Sequence, residues 1–383
     1  MNFTPSERKT NSSNNEIDIL NQLRTTSKDL QSSYTFFLSP GPQPIIHKLL
    51  SLANQLNPFL QSDPRLYKLT QLLSDLRKLH EDLESSQGYG VGSFLRRQRI
   101  YYNLSWAGLE IDREIQAYVD KEAVSKLVTA LRDTSAEVED DDEKVRLLIE
   151  FEERLAKGFD RGYQDQILTA RVFNLIDSTV CEPRHSARVR EHAGCAIVGL
   201  VQFNRNVFVG LVLMGSSVDA LISIGTYSSI KAVASLVSLI KSPLIDEMDS
   251  RGEIARIIDL LKHGDEEVRA GALDCICEVA YHGRKEVIEG IVEAEVVELL
   301  VELQRWNYEW TGGHEEGEGA ETSPFAGCVA RFAVQVEVGE GMNGKEKGEF
   351  KLEVLRRVKE ACADDDAAAS ASICADVLWG SSP

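Results

Sequence analysis

The chain has 383 residues, of which 43% are hydrophobic and 7% aromatic, enough apolar side chain to core one long domain or two. Its net charge is −19 and its sequence pI is near 4.9. That balance excludes a broad phosphate-binding surface, which needs clustered Lys and Arg, and argues equally against docking on an anionic membrane.

Residues 1–15 (MNFTPSERKTNSSNN) are polar, lack the apolar core of a secretory signal, and are expected to form a disordered tail. A first helical pattern over 16–38 is broken by SPGPQP at 39–44. An amphipathic helix follows over 45–56 and is interrupted by Pro58. Ser62-Asp63-Pro64 reads as an N-cap followed by proline in the first turn. The helix beyond it sets Leu66, Leu69, Leu73, Leu76, His80 and Leu83 at heptad-like steps. YGVGS at 89–93 ends this pair, and 94–120 is another long helical stretch. Residues 16–120 are therefore expected to form an N-terminal bundle of four helices. Arg96, Arg97 and Arg99, beside Tyr101 and Tyr102, make the one basic cluster, expected to bond to the acidic body of the same protein.

Beyond residue 120 the chain repeats itself. VREHAGCAIVGLV at 189–201 returns as VRAGALDCICEVA at 268–280, with SSIKAVASLVSLI at 228–240 between them. Ala193, Ala232 and Ala272 correspond, as do Ile197, Leu236 and Ile276, and then Leu200, Leu239 and Val279. The period is 39–40 residues, the mark of a stacked helical solenoid. The alanines fall where one helix must approach its neighbour closely, and the aliphatic residues four later share that face. A second apolar ladder interleaves with the first: Leu127-Val128, Leu175-Ile176, Leu221-Ile222, Leu260-Leu261 and Leu300-Val301. Each repeat thus holds at least two helices. The early repeats are longer, with EVEDDDE at 137–143 expected as an inserted loop. TGGHEEGEGAET at 311–322 is expected as an acidic, Gly-rich loop, followed by a helix over 325–338. A loop at 339–348 and helices at 349–361 and 370–378 are expected to cap the stack.

These features resemble the armadillo repeat. Glu267-Val268-Arg269, then Ala272-Leu273 and Val279-Ala280, are similar to its third helix, and KHGDEEV at 262–268 to the loop before that helix. Residues 329–341, 351–361 and 375–383 resemble the end of plant armadillo-superfamily proteins, which include relatives of U-box proteins that lack the U-box. The resemblance covers roughly residues 120–383. It implies an all-α fold: a right-handed α-solenoid of armadillo-type, three-helix repeats over 121–383, behind the N-terminal helical bundle. It also implies a protein-binding scaffold.

No catalytic or cofactor motif emerges. Cys275 and Cys277 are one residue apart, not the two to four of a zinc pair, and His185 and His192 lack an HExxH setting. The glycines at 88–92 lack the Gly-Lys-Ser/Thr ending of a phosphate loop, and no nucleophile elbow occurs. Neither metal nor cofactor is expected. No apolar run approaches 18 residues; the nearest is VFVGLVLM at 207–214. Met1-Asn2 lacks a myristoylation glycine, and the chain does not end in a prenylation box. Seven cysteines, several on apolar helical faces such as Cys195 and Cys275, suit reduced thiols in the cytosol or nucleus.

In the armadillo family the third helices line the concave groove, and importin-type members place Trp and Asn there to clamp an extended peptide. Carried over by the repeat alignment, the Asn positions are Gly199, Ser238 and Glu278, and the Trp positions are Cys195, Ala234 and Asp274. None matches, so that clamp is not expected. What the alignment leaves is a groove that turns acidic at Asp274 and Glu278, suited to a partner segment bearing Lys or Arg. The expected function is a non-enzymatic interaction scaffold. The alternative is a substrate-recruiting adaptor for a separate ubiquitin ligase, since no Cys-Pro-Ile entry motif of a U-box precedes the repeats.

Overall fold

A computed structural model describes residues 5–32, 43–86, 90–133, 138–310, 324–362 and 367–379, and every regular element among them is a helix. The expected loop at 311–322 and most of the 39–44 breaker lie outside the described residues. The chain divides into two compact units, residues 1–126 with 161–166, and residues 127–160 with 167–383.

The first unit contains α1 (Pro5–Ser32), α2 (Gln43–Ser62), a 3₁₀ turn at Pro64–Leu66, α3 (Tyr67–Ser85) and most of α4 (Val91–Arg132). α1 runs back to Pro5, further than the polar composition of 1–15 suggests, and α4 runs through the boundary expected at 120. The heptad-like Leu ladder of α3 is buried together with Leu23 and Leu30 of α1, Leu49 and Leu56 of α2, and Leu104 and Ile111 of α4. Pro58 does not break α2, contrary to the sequence expectation. Pro58 and Asn54 are both exposed, so the carbonyl that loses its helical hydrogen bond faces water. Asp63 caps the 3₁₀ turn by accepting from the Arg65 N–H at 2.9 Å. Arg65 bonds that same carboxylate, which lies at about 2, well below the usual carboxylate range. Two members of the basic cluster depart from its expectation: Arg96 and Arg99 are exposed on α4, with no carboxylate partner among the described residues.

The second unit is built from three-helix groups in chain order. α5 (Val138–Ala156) precedes α6 (Arg161–Thr169), whose first six residues belong to the first unit, and then α7 (Val172–Cys181) and α8 (Ala187–Phe203). Then come α9 (Arg205–Met214), α10 (Ser217–Ile224) and α11 (Tyr227–Ile240), followed by α12 (Ser242–Ser250), α13 (Glu253–Leu260) and α14 (Glu266–His282). The last group is α15 (Lys285–Glu293), α16 (Val296–Trp310) and α17 (Cys328–Val338). The third helices form a row, α5 on α8, α8 on α11, α11 on α14 and α14 on α17; the second helices α7, α10 and α13 pack in a parallel row. This is an α-solenoid. α18 (Gly344–Ala361) lies on α16 and α17, and α19 (Ala367–Trp379) lies on α17 and α18.

The two sequence ladders run along these helices. Ala193 and Ala272 are fully buried, with Ile197, Leu236 and Ile276 beside them; Ile176 and Leu221 are buried on α7 and α10 of the other row, and Leu127 on α4, Leu261 at the end of α13 and Leu300 on α16 are buried as well. Short polar side chains start three of these helices. Ser186 caps α8, Thr226 forms a capping box with Ser229 on α11, and Asp265 caps α14. The acidic stretch 137–143 differs from its expectation as a loop, because α5 begins at Val138. Carboxylates in the first turns of a helix complement its dipole, so the run is compatible with helix. Asp142 there accepts from Arg188 at 2.5 Å, tying α5 to α8.

Among the described residues no single helix is long and apolar enough to cross a membrane. α9 and α10 reach that composition only as a pair bent by 70°, and Phe208, Val212 and Leu221 on them are buried within the unit. The alanine ladder leads to a first expectation. Ala272→Leu adds three carbons at a fully buried position and should lower stability by about 1–3 kcal/mol, read from the urea midpoint.

Candidate functional site: a cavity on the row of third helices

The row of third helices carries a cavity of about 690 Å³ across α5, α8 and α11. It opens where side chains are small. Gly199 on α8 has no Cβ; one placed there would lie 3.2 Å from Cδ1 of Leu155 on α5, and any larger side chain would reach into the space. Ser228, Ala232 and Ser235 on α11 keep the opposite wall low. At one end Gly158, with φ of +99°, turns the chain out of α5 in a conformation that suits glycine. The next residue, Phe159, then meets Phe203 of α8 with ring centroids 5.5 Å apart. Phe159 remains 61% exposed, an apolar ring offered to whatever enters.

Glu152 on α5 gives the cavity its charge. Its Oε1 is buried and accepts no hydrogen bond, and burial pushes its carboxyl up to about 7. The nearest basic group is Nδ1 of His192, 3.9 Å from Oε1. Burial also pushes His192 below the usual histidine range, so the ring is neutral at neutral pH and supplies no counter-charge. Lys231 lies on the rim, its ammonium 5.4 Å from the ring centroid of Tyr227. The cavity therefore holds one carboxyl poised to ionise when a cation arrives, beside an aromatic wall.

Cys195, His192 and Glu152 are residue types that elsewhere make a thiol nucleophile. Here burial and the Glu152 charge push the Cys195 thiol up to about 11, the opposite of activation. The buried Cys277 and Cys328 thiols lie at about 12 for the same reason, burial. All seven cysteines are free.

Of the four positions read from sequence, Gly199, Ser238 and Glu278 fall at equivalent places on α8, α11 and α14, and Asp274 lies one turn before Glu278 on α14. Gly199 lines the cavity and Cys195 is on its wall. Ser238 is exposed on α11. Asp274 is exposed but matched, accepting from Arg331 of α17 at 2.6 Å. Glu278 is half-buried, 3.9 Å from Nε2 of His282, whose burial keeps it neutral near pH 7. The acidic end is thus partly neutralised, and Glu278 is the carboxylate left there without a charged partner. Sequence reasoning missed Glu152 and Phe159. The available signal was spacing: Leu148, Glu152 and Leu155 stand at i, i+4 and i+7 on the packed face of α5.

No family model and no curated protein matches the chain. Among solved structures it is similar to the designed armadillo repeat protein YIII(Dq)4CqI, at 14% identity and a TM-score of 0.45, covering 67% of this chain and 98% of that one. A second designed armadillo repeat protein, YIII(Dq.V1)4CPAF in complex with the peptide (KR)4, is similar at 15% identity and a TM-score of 0.45, over 67% and 98% of the two chains. Kap121p, in its structure bound to Pho4p, is similar at 13% identity and a TM-score of 0.46; the match covers 94% of this chain and 33% of Kap121p.

Proposed function

We propose that this chain is a non-enzymatic scaffold that binds a protein partner along its row of third helices, seating a Lys or Arg side chain of the partner against Glu152. The observation that carries this reading is the Glu152 carboxyl, half-sequestered in a 690 Å³ cavity with an unpartnered oxygen and an exposed aromatic ring at its mouth. A buried acceptor without a donor costs free energy, which an arriving ammonium or guanidinium removes through a charge-assisted hydrogen bond. The alkyl stem of Lys or Arg suits the apolar wall. An extended segment running on along α11 and α14 would pass Ser238 and reach Glu278, a second acidic contact. The raised thiols argue for binding over covalent chemistry, and free buried cysteines suit a reducing compartment, the cytosol or nucleus.

Selection of peptides from a random displayed library on the full chain tests the reading. Enriched sequences should carry Lys or Arg and lose affinity at least about tenfold on Glu152→Lys. Enrichment of sequences without a cation, or affinity indifferent to that change, would defeat it. With ubiquitin, an activating enzyme and a conjugating enzyme, the purified chain should show no self-modification; a ubiquitin ladder would overturn the non-enzymatic reading.

A further inference from the structure

Away from the row of third helices, within the first unit, α2 and α3 bring two histidines and a carboxylate together. His47 lies on α2, and His80 and Glu84 lie one helical turn apart on α3. Their ligating atoms all fall within 4.8 Å of one another. The two imidazoles meet edge to face with centroids 4.8 Å apart, and Nε2 of His80 is 3.5 Å from Oε1 of Glu84. That separation is close to the edge of a tetrahedron with zinc–ligand bonds of the usual length, about 3.4 Å.

His80 sets this cluster apart from a chance grouping of surface residues. It is 6% exposed and occupies a position in the buried ladder of α3 where the other members are leucines. Its Nδ1 is buried with no hydrogen-bond partner. A leucine would fill the place without that cost, and at 3.5 Å the Glu84 carboxylate holds Nε2 of the ring only loosely. A metal ion on the imidazole fixes it and offsets part of the burial. His47 and Glu84 are exposed and can close on the ion from the solvent side without disturbing the core.

We propose that His47, His80 and Glu84 form a Zn²⁺ site that clasps α2 to α3. Two neutral nitrogens and one carboxylate oxygen match the donors zinc takes, and they leave a fourth position for water or a group from a partner. The ion binds the folded bundle, where the three donors converge, and so stabilises it.

The test uses the full chain freed of metal, with Zn²⁺ competed against a chromophoric chelator and Co²⁺ absorption as a second readout. One equivalent of Zn²⁺ should bind and raise the melting temperature. Co²⁺ should give tetrahedral visible bands without thiolate charge-transfer intensity, which separates this site from the seven cysteines. His47→Gln and Glu84→Gln, both at exposed positions, should each weaken Zn²⁺ at least about tenfold while leaving the fold intact by circular dichroism. No Zn²⁺ binding by the unaltered chain, or variants that bind Zn²⁺ as tightly as the unaltered chain does, would overturn the site.

Discussion

Gly341→Ala should destabilise the second unit by about 3 kcal/mol or more, one of the largest effects available from a single methyl group. A Cβ at Gly341 would lie 1.9 Å from the carbonyl oxygen of Gly283, 2.6 Å from its carbon and 3.0 Å from the carbonyl oxygen of His282. All three are backbone atoms, so no side chain can swing away to make room. The segment 339–341 is held down on the end of α14 by a hydrogen bond from Glu340 N–H to the Tyr281 carbonyl at 2.7 Å. Lys241, just past α11, reaches Glu340 at 2.8 Å, and Ser242 donates to the His282 carbonyl at 2.9 Å. The chain leaving α17 is thus stitched across the ends of α11 and α14. Lifting it forfeits those bonds and loosens α17 on α14. The fall should appear as a lower urea midpoint. Glu340→Ala, which removes the exposed Lys241 ion pair and the carboxylate 3.6 Å from Nδ1 of His282 but keeps the backbone bond to Tyr281, should lower it far less. A Gly341→Ala midpoint equal to that of the unaltered chain would show that this backbone contact does not constrain the unit.

Glu152→Gln should stabilise the protein and weaken its binding, and pH should separate the two effects. The carboxyl titrates near 7 when folded, above its ordinary value of 4.5. Below about 4.5 both folded and unfolded chains carry the proton, and the carboxyl costs nothing. Between 4.5 and 7 the folded chain holds a proton that the unfolded chain has released, so stability falls as pH rises. Above 7 both are ionised, and the penalty levels off at about 3 kcal/mol. The amide variant escapes this penalty. It should exceed the unaltered chain in stability at pH 8 and match it near pH 4, as read by urea unfolding at the two pH values. A bound cation reverses the balance by favouring the carboxylate. Binding of a Lys- or Arg-bearing peptide near pH 6 should therefore release a proton, which titration calorimetry in buffers of different ionisation enthalpy measures directly. The variant should bind more weakly and release none.

The repeat architecture was legible because burial imposes a period. Ala193 and Ala272 can only be small where helices touch, and Ile197, Leu236 and Ile276 only apolar where repeats meet, so both ladders stand in the sequence as they run along the helices. Local rules that another term can override were less legible. Pro58 is permitted in α2 because its side of the helix faces water, and the acidic run at 137–143 is permitted in α5 because it enters a helix N-terminus. The candidate site was half legible. The repeat alignment led to Gly199 and Cys195, which line the cavity. Composition cannot tell Glu152 from Glu150 or Glu153; only its phase against Leu148 and Leu155 does so. The pairing of Asp274 with Arg331 crosses 57 residues and depends on α17 packing against α14, which no local pattern reports. The same holds for His47 and His80, which are brought together by two helices whose leucines, not whose histidines, determine the packing.

The most direct measurement is the affinity of a library-selected peptide for the full chain from pH 5.5 to 8, set beside that of Glu152→Gln. A partner cation seated on Glu152 predicts affinity that rises roughly tenfold through the titration near pH 7, and a flat, weaker profile for the variant. A flat profile for the unaltered chain, or a variant that follows the same curve, would contradict the account.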